Sequence, residues 1–121
     1  KYQYSLPRIL DFGMSHVVMN IVKNALDAMP EGGTLEIATQ MKDLTLQISF
    51  KDTGIGIPSG IKELIFQPFF TTKSIDKGTG LGLAISQEIV NKYEGKIEVQ
   101  SAEGQGSTFT ILIPKKYLEN T

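Results

Sequence analysis

The residues whose types and spacing could do chemistry are few. Asn20 and Asn24 lie one helical turn apart, Asp52 ends an apolar run, and three glycine-spaced loops follow one another. The loops read Asp52-Thr53-Gly54-Ile55-Gly56-Ile57, Gly78-Thr79-Gly80-Leu81-Gly82-Leu83 and Gly104-Gln105-Gly106-Ser107-Thr108, and they hold seven of the twelve glycines. Asparagine carbonyls are neutral oxygen ligands for a hard cation. Glycine lets backbone N–H groups come close to a ligand and adopts positive φ readily. A strand-end carboxylate can accept from the exocyclic amine of adenine. Together these features suggest a site for a nucleotide and Mg²⁺.

Each feature has a plainer reading when taken alone. Two polar residues on one helix face are often only solvated, and Asp-Thr-Gly at a strand end is also an ordinary turn. The loop through Gly78, Gly80, Leu81, Gly82 and Leu83 leads into a helix, whose first amides form an anion site. It matches neither the P-loop nor the dinucleotide fingerprint, so a phosphate site here is of another kind. The Gly104 loop reads equally as a hairpin turn, with Thr108 offering a hydroxyl to a base edge. Phe66-Gln67-Pro68-Phe69-Phe70-Thr71-Thr72-Lys73 places aromatics around a proline, then hydroxyls and a cation. Phe66 is expected to pin this stretch to the core. Phe69 and Phe70 could form a movable lid, and Lys73 could reach a terminal phosphate.

The elements that position these residues follow from periodicity. Met14, Val17, Val18, Ile21, Val22, Ala25 and Met29 recur at helical spacing, with Asp11 as N-cap and Pro30 and Gly32-Gly33 as the stop. The polar face carries His16, Asn20, Lys23, Asn24 and Asp27. Residues 34–39 and 44–50 alternate as strands, with a hairpin turn at residues 41–43. Residues 61–66 read as a short helix, 67–80 as a long mobile loop and 81–93 as a helix. Gly95 is the expected C′ residue of that helix. Residues 96–100 and 108–113 are strands, and residues 2–5 are a candidate edge strand. The order predicts an α+β fold: a two-layer α/β sandwich whose mixed five-stranded sheet is covered on one face by helices.

Composition narrows the class. With 121 residues the chain is one domain, with a core at about residues 7–114. A net charge of −1 gives no field favouring nucleic acid or an anionic membrane surface. The absence of cysteine excludes disulfides, thiolate metal sites and cysteine nucleophiles. No apolar run approaches the ~20 residues of a membrane span. The start Lys1-Tyr2-Gln3-Tyr4 is neither Met nor a signal peptide, and the expectation is a C-terminal fragment of a longer protein.

The ordered set of motifs resembles the catalytic, ATP-binding domain of sensor histidine kinases, within the gyrase, Hsp-type chaperone, histidine kinase and MutL superfamily. Residues 20–24 match its asparagine box, 52–57 and 78–83 its first two glycine boxes, 66–69 its F-x-P-F box and 104–108 its last glycine box. Residues 68–73 look like the nitrogen-regulatory type. The resemblance implies a Bergerat nucleotide fold, Mg²⁺–ATP, and an ATP lid at about residues 66–80. It assigns Asn24, with Asn20, to Mg²⁺, Asp52 to adenine, and Gly56 to close approach of the base. Ile57 and Ala28 would line the base pocket, with Gly54 beside them. Thr108 would support the base through water, and Gly78, Gly80, Leu81, Gly82 and Leu83 would face phosphate. Thr72 and Lys73 would sit on the lid, and Lys23 near phosphate or in solvent.

One position separates the chemistries of the superfamily. Its ATPases place a glutamate one turn before the metal asparagine, where this chain has Asn20. An amide cannot act as a general base for water, whereas a neutral imidazole brings its own lone pair. The resemblance therefore favours transfer of the γ-phosphoryl group to a histidine. His16, the single histidine, lacks the flanking acceptor sequence, so the acceptor is expected on an upstream dimerisation domain, with a response regulator receiver domain as the next partner. A cytoplasmic domain without direct membrane contact is expected. The alternatives are a nucleotide-sensing module without catalysis, and a serine kinase or ATPase of the superfamily.

Overall fold

The computed structural model describes residues 12–58, 60–68 and 82–117. Helix α1 (Phe12–Asp27) buries Met14, Val17, Ile21 and Ala25, the positions that the helical spacing sets on one face, and His16 and Lys23 are exposed. Strands β1 (Leu35–Lys42) and β2 (Thr45–Asp52) form a hairpin, and helix α2 (Gly82–Asn91) leads into β3 (Lys96–Ser101) and β4 (Ser107–Pro114). The strand order is β1-β2-β4-β3, and the pairings among the described residues are antiparallel. The fold is the expected α+β sandwich. Its described sheet has four strands, all antiparallel, rather than a mixed set of five, because each described strand pairs with its neighbours in reversed direction, and the candidate strand at residues 2–5 lies outside the described residues. The proposed N-cap Asp11 also lies outside them.

Period-two alternation sets the inward face. Phe50, Phe109, Ile111 and Ile113 turn toward the helices and join Met14, Val17, Ile21 and Val90 in one core. Replacing a fully buried member such as Ile111 by alanine is expected to cost about 2–5 kcal/mol. The core holds α1 and α2 side by side over the sheet, and this fixes where Asn20 and the start of α2 meet.

Three local expectations change. The β1–β2 turn is Asp43–Leu44, with φ of 53° and 63°, a two-residue left-handed turn that suits the twist of a hairpin. Leu44 is therefore a turn residue, 69% exposed, and not part of the strand run. The short helix at 61–66 is a 3₁₀ turn over Lys62–Leu64, after which Ile65 and Phe66 pack on the core, as expected of Phe66. At the end of α2 the left-handed residue is Glu94, with φ of 59°, and Gly95 follows it. Gly95 donates to Val90 O at 3.1 Å and Glu94 to Asn91 O at 2.9 Å. A Cβ on Gly95 would lie 2.2 Å from Leu112 O, so close packing against β4 demands that glycine.

Candidate nucleotide-binding site

Helix α1 is the spine of the site. Its middle carries Asn20, whose Nδ2 donates to Gly82 O at 3.4 Å and to Ser86 Oγ at 3.3 Å. Ser86 is fully buried, so Asn20 satisfies a polar group that the α1–α2 contact removes from water. With Nδ2 so engaged, Oδ1 is the atom Asn20 has for a cation or phosphate environment, beside the first amides of α2. Asn24 lies one turn further along α1 and is half-buried. Lys23 points to solvent and pairs with Asp27 at 3.6 Å. Leu83 turns its side chain toward the core, so any part it has in binding an anion falls to its backbone N–H.

The C-terminal end of α1 holds the first glycine loop. Ile55 donates to Ala28 O at 3.0 Å, and a Cβ on Gly54 would stand 2.4 Å from that same oxygen. Gly56 has φ of +73°, and a Cβ there would lie 2.0 Å from Ala102 O. Close approach at Gly56 is thus between two protein backbones: the loop lies against the β3–β4 turn, where Gly104 donates to Ile55 O at 2.6 Å. The glycines zip the first glycine loop between α1 and that turn, and this backbone packing by itself demands glycine at Gly56.

Asp52 is 4% exposed. Its Oδ1 accepts from the Gly54 N–H at 2.8 Å and from the Ser107 N–H at 3.2 Å. Both donors converge on one oxygen and fix the carboxylate's orientation. Among the described residues, Oδ2 is the atom left for a ligand.

The strand register separates Asp52 from one expected site residue. Asp52 pairs with Ser107, while Thr108 pairs with Lys51 and Gln100 on the opposite face of the sheet. Ser107 is buried next to Asp52, and its hydroxyl lies 2.8 Å from that of Ser101. Ser107 is therefore the hydroxyl of this loop that shares the Asp52 face, and Thr108 is on the other. The signal was present in the sequence: Phe109, Ile111 and Ile113 share the parity of Ser107. An open cavity of about 200 Å³ at this end of the sheet is lined by Lys51, Gln100 and Thr108 together with Asp52, Ser101 and Ser107. No residue of α1 or α2 lines it. Ile57 packs against the core and donates its N–H to Ser101 Oγ at 2.7 Å.

The donor set fits Mg²⁺–ATP. Asp52 Oδ2 is an acceptor suited to an amine, and the amide oxygens of Asn20 and Asn24 are hard ligands. Among the described residues, no three His, Cys, Asp or Glu side chains are grouped to hold a metal. Amide oxygens would then share Mg²⁺ with phosphate oxygens, the usual habit of that ion. The lid and phosphate-loop residues Thr72, Lys73, Gly78, Gly80 and Leu81 lie outside the described residues, as do Phe69 and Phe70. Among the described residues no helix is long and apolar enough to cross a membrane.

Residues 11–117 match the family described as histidine kinase-, DNA gyrase B- and HSP90-like ATPase. The signal transduction histidine-protein kinase AtoS of Escherichia coli is 45% identical over 102 residues, which cover 84% of this chain and 16% of AtoS. The chain thus spans between about an eighth and a quarter of the length of the curated relatives it matches. The nucleotide-free catalytic domain of the histidine kinase ThkA superposes with a TM-score of 0.75 at 38% identity, covering 85% of this chain and 66% of that one. Full-length ShkA in complex with AMPPNP superposes with a TM-score of 0.76 at 28% identity, covering 84% of this chain and 21% of ShkA. The chain belongs to the histidine kinase-, DNA gyrase B- and HSP90-like ATPase family, as a catalytic ATP-binding domain of the sensor histidine kinase type.

Proposed function

We propose that this domain holds Mg²⁺–ATP and delivers the γ-phosphoryl group to a histidine on a separate dimerisation domain of a longer, cytoplasmically facing kinase. The observation that carries this reading is Asn20. It occupies the position where hydrolases of the superfamily keep a glutamate, and its Nδ2 is already committed to Gly82 O and Ser86 Oγ. An amide held this way cannot take a proton from water. The acceptor imidazole needs no such base, so what remains for this chain is positioning and charge compensation.

In this reading Asp52 Oδ2 accepts from the adenine amine, with Ser107 beside it. Asn24 and Asn20 Oδ1 hold Mg²⁺, which when bound neutralises phosphate charge. The backbone N–H groups of Gly82 and Leu83 face phosphate, with Gly78, Gly80 and Leu81 before them and Thr72 and Lys73 on the lid. The AMPPNP bound by ShkA supports a nucleotide at this fold. A response regulator receiver domain would take the phosphoryl group next.

The test is phosphotransfer in trans. Labelled ATP with this domain and a purified dimerisation domain is expected to give acid-labile, alkali-stable label on the latter. The domain alone is expected to stay unlabelled. His16 is exposed on α1 and is the single histidine, so stable label at His16 would overturn the assignment.

A further inference from the structure

Ser101 ends β3 on the same face as Asp52, and three hydrogen bonds meet at its hydroxyl. Oγ accepts from the Ile57 N–H at 2.7 Å, donates to Gly106 O at 3.0 Å and lies 2.8 Å from Ser107 Oγ. A serine hydroxyl has one proton and two lone pairs. Gly106 O can only accept and Ile57 N–H can only donate. All three bonds coexist in one arrangement alone: the Ser101 proton goes to Gly106 O, and Ser107 gives its own proton to Ser101. The Ser107 oxygen then keeps two lone pairs and no free proton.

We infer that Ser101 is a positioning residue for base selectivity: by taking the Ser107 proton, it makes Ser107 Oγ a pure acceptor beside Asp52. The inference rests on the nucleotide reading above. Asp52 Oδ1 accepts the Ser107 backbone N–H, so the Ser107 side chain and the Asp52 carboxylate belong to one cluster. Two acceptors side by side suit an amine with two hydrogens and repel a carbonyl oxygen. Such a pair selects a 6-amino purine. Ser101 also ties the first glycine loop to the β3–β4 turn through Ile57, so its removal has a structural cost that weakens every nucleotide alike. The selectivity between bases is the part that only the proton arrangement moves.

The experiment compares the affinity of the protein for ATP with that for purine riboside 5′-triphosphate, which lacks the 6-amino group. The wild-type protein is expected to prefer ATP. Ser101→Ala, which frees the Ser107 proton, is expected to lower that preference about fivefold, the scale of one modest hydrogen bond. Ser101→Thr keeps the hydroxyl and restores the preference, and Ser107→Ala lowers it at least as far as Ser101→Ala. A Ser101→Ala protein that weakens both nucleotides by the same factor overturns the inference, as does a preference that stays low in Ser101→Thr. Should Ser101→Ala fail to fold, an unchanged preference in Ser107→Ala overturns it equally. Wild-type protein that binds neither nucleotide defeats the nucleotide reading itself, a result distinct from intact ATP binding with an unmoved preference.

Discussion

Asn20 donates its side-chain amide to the hydroxyl of Ser86 across the α1–α2 contact, at 3.3 Å. The bond joins the asparagine box to the helix that opens at the second glycine box. Placement of the Asn20 amide and of the start of α2 is thereby one structural decision rather than two.

Ser86→Ala tests that coupling. Alanine fits the buried position, but Asn20 Nδ2 is left with only the long bond to Gly82 O. The expected loss is about 1 kcal/mol of unfolding free energy, a fall in Tm of roughly 4 °C for a domain of this size. ATP affinity in Mg²⁺ should fall with it. Urea and thermal unfolding, with calorimetric titration of ATP, check both, and an unchanged Tm would show that the bond contributes nothing.

Asp52→Asn separates fold from recognition. The variant keeps a carbonyl oxygen for the Gly54 and Ser107 N–H groups, which now meet at Oδ1. It replaces Oδ2 by an NH₂ group, a donor that would meet the donor amine of adenine in the proposed binding mode. Affinity for ATP is expected to fall by roughly 10- to 100-fold, since a donor–donor contact costs a buried group its partner. Tm should move little. Calorimetry showing unchanged ATP affinity would refute the adenine role.

Much of this arrangement was legible in the sequence, for physical reasons that differ from residue to residue. The inward face of α1 was readable because Met14, Val17, Ile21 and Ala25 repeat at the helical period, and Asn20 and Asn24 had to share the other flank. The position of the β1–β2 turn is not legible, because Asp43–Leu44 adopts positive φ without a glycine to announce it. Ser107 and Thr108 offer the same hydroxyl chemistry, and only the parity of β4 puts Ser107 on the Asp52 face. The purpose of Gly56 was out of reach, since the atom that excludes a side chain there is Ala102 O, far along the chain. Glu94 likewise takes positive φ without being a glycine, and the Tyr117 hydroxyl that bonds its carboxylate is distant in the chain.

Gly56→Ala and Gly104→Ala form a matched pair. Both residues have positive φ, +73° and +80°, but a Cβ at Gly56 meets Ala102 O at 2.0 Å while one at Gly104 meets nothing within 4 Å. Gly104→Ala should cost only the conformational penalty, about 1 kcal/mol. Gly56→Ala must also part the glycine loop from the β3–β4 turn, and a loss of more than ~3 kcal/mol is expected, as for an overpacked site on top of that strain. Equal losses in chemical denaturation would contradict the backbone-packing role of Gly56.

Glu94 and Tyr117 give the last test, of stability against pH. The Tyr117 hydroxyl donates to Glu94 Oε2 at 2.7 Å, and Lys116 Nζ lies 3.0 Å from Oε1. The Tyr117 hydrogen bond, then Lys116, holds the Glu94 carboxyl below its usual 4.5. Glu94 in turn raises Tyr117 above 10.0 and Lys116 above 10.5. A depressed carboxyl contributes stability that is present above its unfolded value and lost as pH falls through the folded one. Raised Tyr and Lys groups contribute stability present below their unfolded values and lost as pH rises through the folded ones. The clasp is therefore intact at neutral pH and weakens on both sides, below about 4.5 and above about 10. Tyr117→Phe removes the hydroxyl and should flatten the acid limb of the Tm–pH curve between pH ~5 and ~3 relative to wild type. It should also shrink the alkaline fall above pH ~10. Superimposable acid limbs for the two proteins would mean that the Tyr117–Glu94 bond does not hold the αL turn at the end of α2.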